Sequence, residues 1–468
     1  MSEKLRMSAC CLAIALGAPQ IAAAQTVTTS TPPLAVDSVR PTYLNQGAGG
    51  HDNAAHKFVG PMASIGQRLD DYGIHLNISF RDTFANAGTQ GLTPWATANL
   101  GKLRFDASYD LGKIGIKGGS IIAAYTIHMF KRNPYQYLSL VGDSPANSVI
   151  GNHHPADSLS ILAYEQKLDN DHIELVLGRY NPSYDFDPAI CGIGPVCALD
   201  IAKFTGVFLP VDYGQLGAVV RFKFPQHFFT KFGVFESNPP ESDKNGINFL
   251  LADSTGVLSL GQVGYSTNFK TAYYPGSFTF TGFQNSSKQK NKLTGKSRWG
   301  TEGFMVTALQ TVWRSNDGMK PSYPAHHLDV YMKAGATPDN WQPYSTEVDT
   351  GANFYGLFPN RPFDALGFKL SYFRLGANEL ATEEATRVKA GGAHEQTRPN
   401  EFRFELIGSI DIYRHMKLMP DIMYIMNADD RSGTSGGIPS DGFAYTLTLQ
   451  IPIGTMLGLA PSGAGGGA

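Results

Sequence analysis

The sequence predicts an all-β protein: a transmembrane antiparallel β-barrel of about 16 strands with a short N-terminal periplasmic helix. Three observations carry this prediction. From Ile74 onward the apolar residues recur with period two. The alternating stretches run to about ten residues, longer than the strands of ordinary sheets and long enough for a tilted strand to cross a bilayer. One face of each stretch is apolar while the other carries several charges, which suits lipid on one side and a watery lumen on the other. A soluble sandwich would also alternate; strand length, aromatic strand ends and loop asymmetry favour the barrel.

Composition agrees. The chain has 468 residues with a formal net charge of −2, so no polybasic field points to nucleic acid. Fifty-one Gly, 21 Tyr and 28 Phe, with 17% charged residues, suit a turn-rich, aromatic-rich β-protein.

Residues 1–24 read as a secretory signal. Lys4 and Arg6 form the charged start, Ala9–Ala18 a short apolar core, and Ala22-Ala23-Ala24 a small-residue cleavage site before Gln25. Cys10 precedes the apolar core, the wrong order for a lipidation signal. No other run reaches the ~18 apolar residues of a membrane helix. Residues 25–56, rich in Thr, Pro, Gly and Asn, form a linker. The barrel segment is 57–454, and 455–468 is a Gly/Ala-rich tail. Within the barrel segment a helix is expected over 61–72. Met62, Ile65, Leu69 and Tyr72 share a face, with Pro61 suited to the first turn and Gly73 to the stop.

The strands follow in order. In the first, Leu76, Ile78 and Phe80 alternate with His75, Asn77, Ser79 and Arg81. In the second, Leu103, Phe105, Ala107 and Tyr109 alternate with Lys102, Arg104, Asp106 and Ser108. Starts are expected near Ile74, Ala98, Lys117, Leu159, His172, Asp212, Phe228, Leu260, Pro275, Trp299, His326, Pro343, Phe363, Pro399, Met416 and Asp441. Connections mostly alternate short and long. Asp169-Asn170-Asp171 is a tight hairpin link, whereas Asn181–Val211 is a long loop holding Pro182, Pro188, Pro195 and Pro210. A loop that long in a β-domain is usually functional. This one is expected to fold back into the barrel and narrow a pore. An even strand count puts both termini in the periplasm, with long loops outside. Asn316–Ala325 is long for a periplasmic turn, and Thr337–Gln342 short for an outer loop.

Only Cys191 and Cys197 remain after cleavage, both in the long loop. An exported chain can oxidise such a pair. Zinc would need further ligands, and no Cys or His cluster adjoins, so a loop-stapling disulfide is the expectation.

Several ordered motifs resemble the OprB-type carbohydrate-selective porins. They include Ala163-Tyr-Glu-Gln166, Leu177-Gly-Arg-Tyr-Asn-Pro182 with Asp185-Phe186, and Gly233-Val-Phe235 with Asn238-Pro239. Ala334-Gly-Ala-Thr-Pro-Asp339, Gly356-Leu-Phe-Pro-Asn-Arg-Pro362 and Met419-Pro-Asp-Ile-Met-Tyr-Ile-Met-Asn427 follow in sequence. The resemblance spans nearly the whole mature chain. It implies sixteen antiparallel strands, a helix near the periplasmic mouth, loops folded inward at an eyelet, and diffusion of sugars, glucose in particular. The chain departs from the family pattern at Phe58-Val59-Gly60-Pro61, where a tryptophan-glycine start is common, and at its non-aromatic C-terminus.

Arg81, Arg104, Glu165, Arg179, Arg221 and Lys223 lie on mixed-charge strand faces, and Tyr184, Asp185 and Asp187 in the long loop. Arg and carboxylate groups can exchange hydrogen bonds with sugar hydroxyls and set a field across a constriction. The other reading is that they pair within the wall and stiffen it. Arg179 shares parity with Ile173, Leu175 and Leu177, so turning it inward requires a bulge near Gly178. Tyr184 is the sugar-stacking candidate, whereas Tyr164 and Trp299 suit an aromatic girdle. His153-His154 and His326-His327 are poor chelates, since adjacent residues on extended chain point apart. No catalytic triad order or phosphate loop stands out. The expected function is passive passage of small carbohydrates across the outer membrane, without cofactor, metal or nucleic acid. The expected surroundings are outer-membrane lipid and the expected state a monomer or homotrimer. A general diffusion porin, an outer-membrane hydrolase and an adhesion barrel are the alternatives.

Overall fold

The computed structural model describes residues 58–133, 136–142, 157–187, 193, 213–237, 245–249, 251, 254–269, 271–291, 293–315, 326–338, 341–358, 361, 363–413, 416–430 and 436–461. Sixteen strands form a closed antiparallel barrel in which sequence neighbours pair throughout and β1 (Ile74–Asn86) closes on β16 (Gly442–Ile451). Between them run β2 (Thr97–Asp110), β3 (Gly119–Arg132), β4 (Ser158–Leu168), β5 (Ile173–Tyr180), β6 (Gln215–Lys223), β7 (Phe228–Glu236) and β8 (Val257–Ser266). The second half comprises β9 (Gly276–Lys290), β10 (Ser297–Arg314), β11 (His327–Ala336), β12 (Tyr344–Tyr355), β13 (Ala365–Leu375), β14 (Asn400–Tyr413) and β15 (Met416–Met426). The largest displacements from the expected starts are at β6, which begins at Gln215 and not Asp212, and β8, which begins at Val257 and not Leu260. No helix among the described residues is long and apolar enough to cross a membrane.

Among the described residues, five short α-helices accompany the barrel: α1 (Ala63–Asp71), α2 (Tyr137–Val141), α3 (Ser183–Phe186), α4 (Ala377–Lys389) and α5 (Ile453–Leu457). Helix α1 begins two residues later than expected, since Met62 donates its N–H to Leu457 O at 2.8 Å and fixes the chain entry against α5. That contact requires Gly66, where a Cβ would lie 2.1 Å from Gly458 O. Residues 453–461 are therefore packed on the barrel, and the two ends of the described span, near Met62 and Leu457, meet at one mouth of it. The signal, the linker and the last seven residues lie outside the described residues.

Period two governs burial as the pattern requires. Along β6, Val219, Arg221 and Lys223 are buried, while on the opposite parity Ala218 is exposed and Val220 and Phe222 are half-buried. Along β5, Glu174 and Val176 are buried while Leu175 and Leu177 are exposed. The outward side chains include exposed Leu162, Phe232, Val234, Phe280, Phe368 and Leu406, which hydrocarbon would cover at no desolvation cost. The β4–β5 hairpin turns on Asp169, Asn170 and Asp171, all with positive φ (49°, 52° and 68°). Asn and Asp tolerate that region better than other non-glycine residues, and so the three-residue link closes.

Candidate functional site: a loop across the lumen

The site is built by the β5–β6 connection. Pro182 follows Asn181, whose Oδ1 accepts the Ser183 N–H at 2.8 Å and starts α3. This helix buries Ser183, Tyr184, Asp185 and Phe186 against the inner faces of the preceding and following strands. Tyr184 and Phe186 join Ile122, Ile161, Val176, Val219, Phe235 and Leu258 in one apolar cluster inside the barrel.

Beneath this cluster is an ionic centre. Arg221, 2% exposed, donates from Nε and Nη2 to the two oxygens of Asp185, both at 2.7 Å. Its Nη1 lies 3.3 Å from both Glu165 and Glu174. Lys223 meets Glu174 at 2.7 Å, and Lys231 lies 3.5 Å from the Asp185 carboxylate while donating to its carbonyl at 2.8 Å. Three carboxylates thus face three cations, and the set is electrically balanced. The fork of Arg221 joins loop to wall, because Asp185 belongs to α3 and Glu165 and Glu174 belong to β4 and β5. A planar guanidinium suits this bidentate role, which a lysine could not fill.

The loop then reaches the opposite arc. Asp187 forms a short ion pair with Lys333 on β11. Ile193 is buried against Tyr331, Ala365 and Ile407, from β11, β13 and β14. In a ring of sixteen strands, β11–β14 face β4–β6, so the segment spans the lumen and is fastened on both sides. Lys369 continues the far wall, 3.5 Å from Asp349 and 3.7 Å from Glu405.

Of the residues singled out in the sequence, Glu165, Asp185, Arg221 and Lys223 come together in this one centre. Arg104 stands beside it, bonded to Asp106 at 2.8 Å with its guanidinium 6.0 Å from the Tyr184 ring. Arg81 lies on β1 opposite Lys102 of β2, half-buried on the inward parity. Two placements differ from expectation. Tyr184 is 8% exposed, its ring 5.7 Å from Tyr180, so packing within the cluster takes up the ring face that a sugar would need. Arg179 is fully buried, donating to Gly214 O at 2.7 Å and to Asn248 O, beneath the Phe249 ring. The β4–β5 and β5–β6 ladders pass Gly178 without a register shift, although Gly178 itself has φ +138°. Arg179 therefore fastens the outer rim to the β7–β8 connection. Cys191, Cys197 and His153-His154 lie outside the described residues. His326 and His327 occupy a strand end, with His327 stacked on Tyr355 at 4.4 Å. Among the described residues no group of three or more His, Cys, Asp or Glu could hold a metal.

Glu174, Lys231 and Lys333 complete the site but were not singled out in the sequence, whereas Asp187 was marked with Asp185 as an inward-loop candidate. Glu174 and Lys231 were within reach, since both sit directly opposite Arg221 in the β5–β6 and β6–β7 ladders. The Asp187–Lys333 pair, 146 residues apart, leaves no local signal.

Comparison with known proteins agrees with this geometry. The family model described as carbohydrate-selective porin, OprB family, matches residues 96–443. The structure of Pseudomonas putida OprB at high pH superposes with a TM-score of 0.69 at 16% identity, covering 82% of this chain and 95% of that one. Its low-pH structure gives 0.51 at 13% identity, covering 85% and 98%. No curated protein matches in sequence. The matched span and the closed barrel together place the chain in the bacterial outer membrane, as a member of the OprB family of carbohydrate-selective porins.

Proposed function

We propose that this porin admits small sugars, glucose among them, by passive diffusion past the loop that crosses its lumen. The observation that carries the reading is the fastening of that loop to both arcs of the barrel, by Arg221–Asp185 on one side and Lys333–Asp187 on the other. A pore narrowed in this way selects by size, and weak contacts along its wall let the solute leave again. Arg81, Lys102 and Arg104 on β1 and β2 offer donors to sugar hydroxyls, with Asp106 as an acceptor. In this reading the Arg221 centre shapes the constriction from beneath, and Tyr184 holds the loop in place. Lipid covers the outward apolar face, residues 1–24 are removed on export, and the chain acts as a channel with no catalytic step. A general diffusion porin is the second reading, favoured by the exchange of hydrogen bonds with any polar solute along the same wall. Sugar titration of the single-channel current in a planar bilayer separates them. Concentration-dependent block by glucose supports selectivity; an open current insensitive to every sugar tested supports the general pore.

A further inference from the structure

The β9–β10 hairpin is built from the longest strands of the barrel, 15 and 18 residues. Its outward face begins as the others do. Phe278, Phe280 and Phe304 are exposed, and Phe280 stacks on Phe304 at 6.1 Å. The same parity then continues beyond the apolar band through Gln284, Ser286, Lys288 and Lys290, all exposed. On β10, Gly300 at φ +82° interrupts the register, and Trp299 stands opposite Lys288 with 73% of its surface exposed.

The chemistry of this face is one-sided. From Gln284 to Thr301 the sequence holds no Asp or Glu. Lys288, Lys290 and Lys296 are exposed, and Arg298 stacks over the Trp341 ring at 5.7 Å. Glu302 is exposed on the row below. The last apolar row pairs Phe304 with Gly282, six residues before Lys288. At ~3.3 Å per residue and a tilt of ~40°, Lys288 stands about 15 Å above it and Lys290 about 20 Å. The hairpin tip lies at the mouth opposite the chain termini, the outer surface of the membrane.

A cationic hairpin that merely kept its tip solvated would gain nothing from aligning its lysines above membrane-facing phenylalanines. Here Lys288 and Lys290 share that face, so their charges point sideways into the layer where headgroups lie, and Lys296 adds a third exposed cation on the adjoining turn. We propose that the outward face of β9–β10 binds the phosphorylated headgroup of an outer-leaflet glycolipid, with Lys288, Lys290 and Lys296 meeting phosphate and Trp299 lying against the sugar. Ammonium groups attract phosphate as point charges, and an exposed indole at that depth is amphipathic in the required sense. Attraction to a charged membrane surface fades within a Debye length, which these side chains satisfy. The proposal rests on the membrane location alone and is independent of what passes through the pore.

The test uses the purified full-length barrel in detergent and native mass spectrometry. The probes are an acylated glucosamine disaccharide bearing two phosphates and the same lipid with both phosphates removed. The wild-type barrel should bind the phosphorylated lipid at least tenfold more tightly. Replacing Lys288, Lys290 and Lys296 together by Gln should abolish that preference and leave single-channel conductance unchanged, while replacing them by Arg should keep it. Equal binding of the two lipids by the wild type would overturn the proposal, and this comparison needs no variant to fold. So would an undiminished preference in the Gln variant, or displacement of the lipid by stoichiometric heparin, which would mark the face as a seat for soluble polyanions.

Discussion

Replacing Arg221 by Ala is the sharpest perturbation of the constriction. The side chain is buried and joins Asp185 on the loop to Glu165 and Glu174 on the wall. Its loss changes a balanced set of three cations and three carboxylates into two against three, with the excess charge buried. Breaking a buried pair in this way costs about 3–5 kcal/mol. The barrel can avoid most of that cost without unfolding, because the ladder hydrogen bonds of β4, β5 and β6 do not involve the guanidinium. Releasing α3 lets water reach Glu165, Glu174 and Asp185. A shift of that size changes the docked-to-undocked ratio of the loop by roughly 10²–10⁴. The expected outcome in a planar bilayer is a larger single-channel conductance, a shift toward cation preference and weaker glucose block. Arg221→Lys should fall between, since it restores charge without the fork. Heat-modifiable migration in electrophoresis should show a folded barrel in both variants. Unchanged conductance and unchanged block in folded Arg221→Ala would refute the reasoning. A barrel that failed to fold would assign Arg221 to the wall alone.

Three further predictions follow from other parts of the molecule. Lys333→Ala removes the far fastening of the loop at Asp187 and should increase open-channel current noise, at a cost of about 1.5–3 kcal/mol in loop docking; quiet, wild-type traces would contradict it. In the β13–β14 connection, burial first and the neighbouring Asp429 charge second push the Glu383 carboxyl well above its ordinary value of 4.5, while Thr397 donates to it at 2.6 Å. Because the folded form holds the proton more tightly than the unfolded chain, the stability of this helix should be greatest below about pH 4.5 and fall as pH rises toward the folded value. Hydrogen exchange over 377–389 should therefore quicken with pH beyond the intrinsic rate increase, and Glu383→Gln should remove that excess; an equal excess in the variant would count against it. Cys191 and Cys197 should be bridged in the exported protein with a small effect on stability, since the closed loop is short; two alkylatable thiols in non-reduced mass spectra would exclude the bridge.

Much of the fold was legible because a barrel strand reports its environment at every second residue. Val219, Arg221 and Lys223 against Ala218, Val220 and Phe222 already separate lumen from lipid before any partner strand is known. The turn at Asp169–Asp171 was equally readable, since its backbone demands residues that accept positive φ. Contacts across the lumen were not legible. Nothing near Asp187 indicates Lys333, and nothing near Ile193 indicates Ile407, because the pairing is set by barrel closure and not by local pattern. Residue type also misleads at a rim. Arg179 and Tyr184 read as pore-facing by charge and by aromatic character, yet a carbonyl cage around the first and apolar packing around the second occupy them. The extent of α5 was missed because Gly458 looks like tail composition, whereas its close approach to Ala63 of α1, like that of Gly454 to β1, needs a residue without a side chain.

The central claim is that a loop fastened across the lumen makes this barrel a narrow, sugar-selective pore. Single-channel recording of the purified protein with glucose added in steps tests it most directly. The account predicts discrete, small openings whose current falls saturably as glucose rises, with larger openings and weaker block in Arg221→Ala. No ion current, or large openings that glucose leaves unchanged in the wild type, would contradict it.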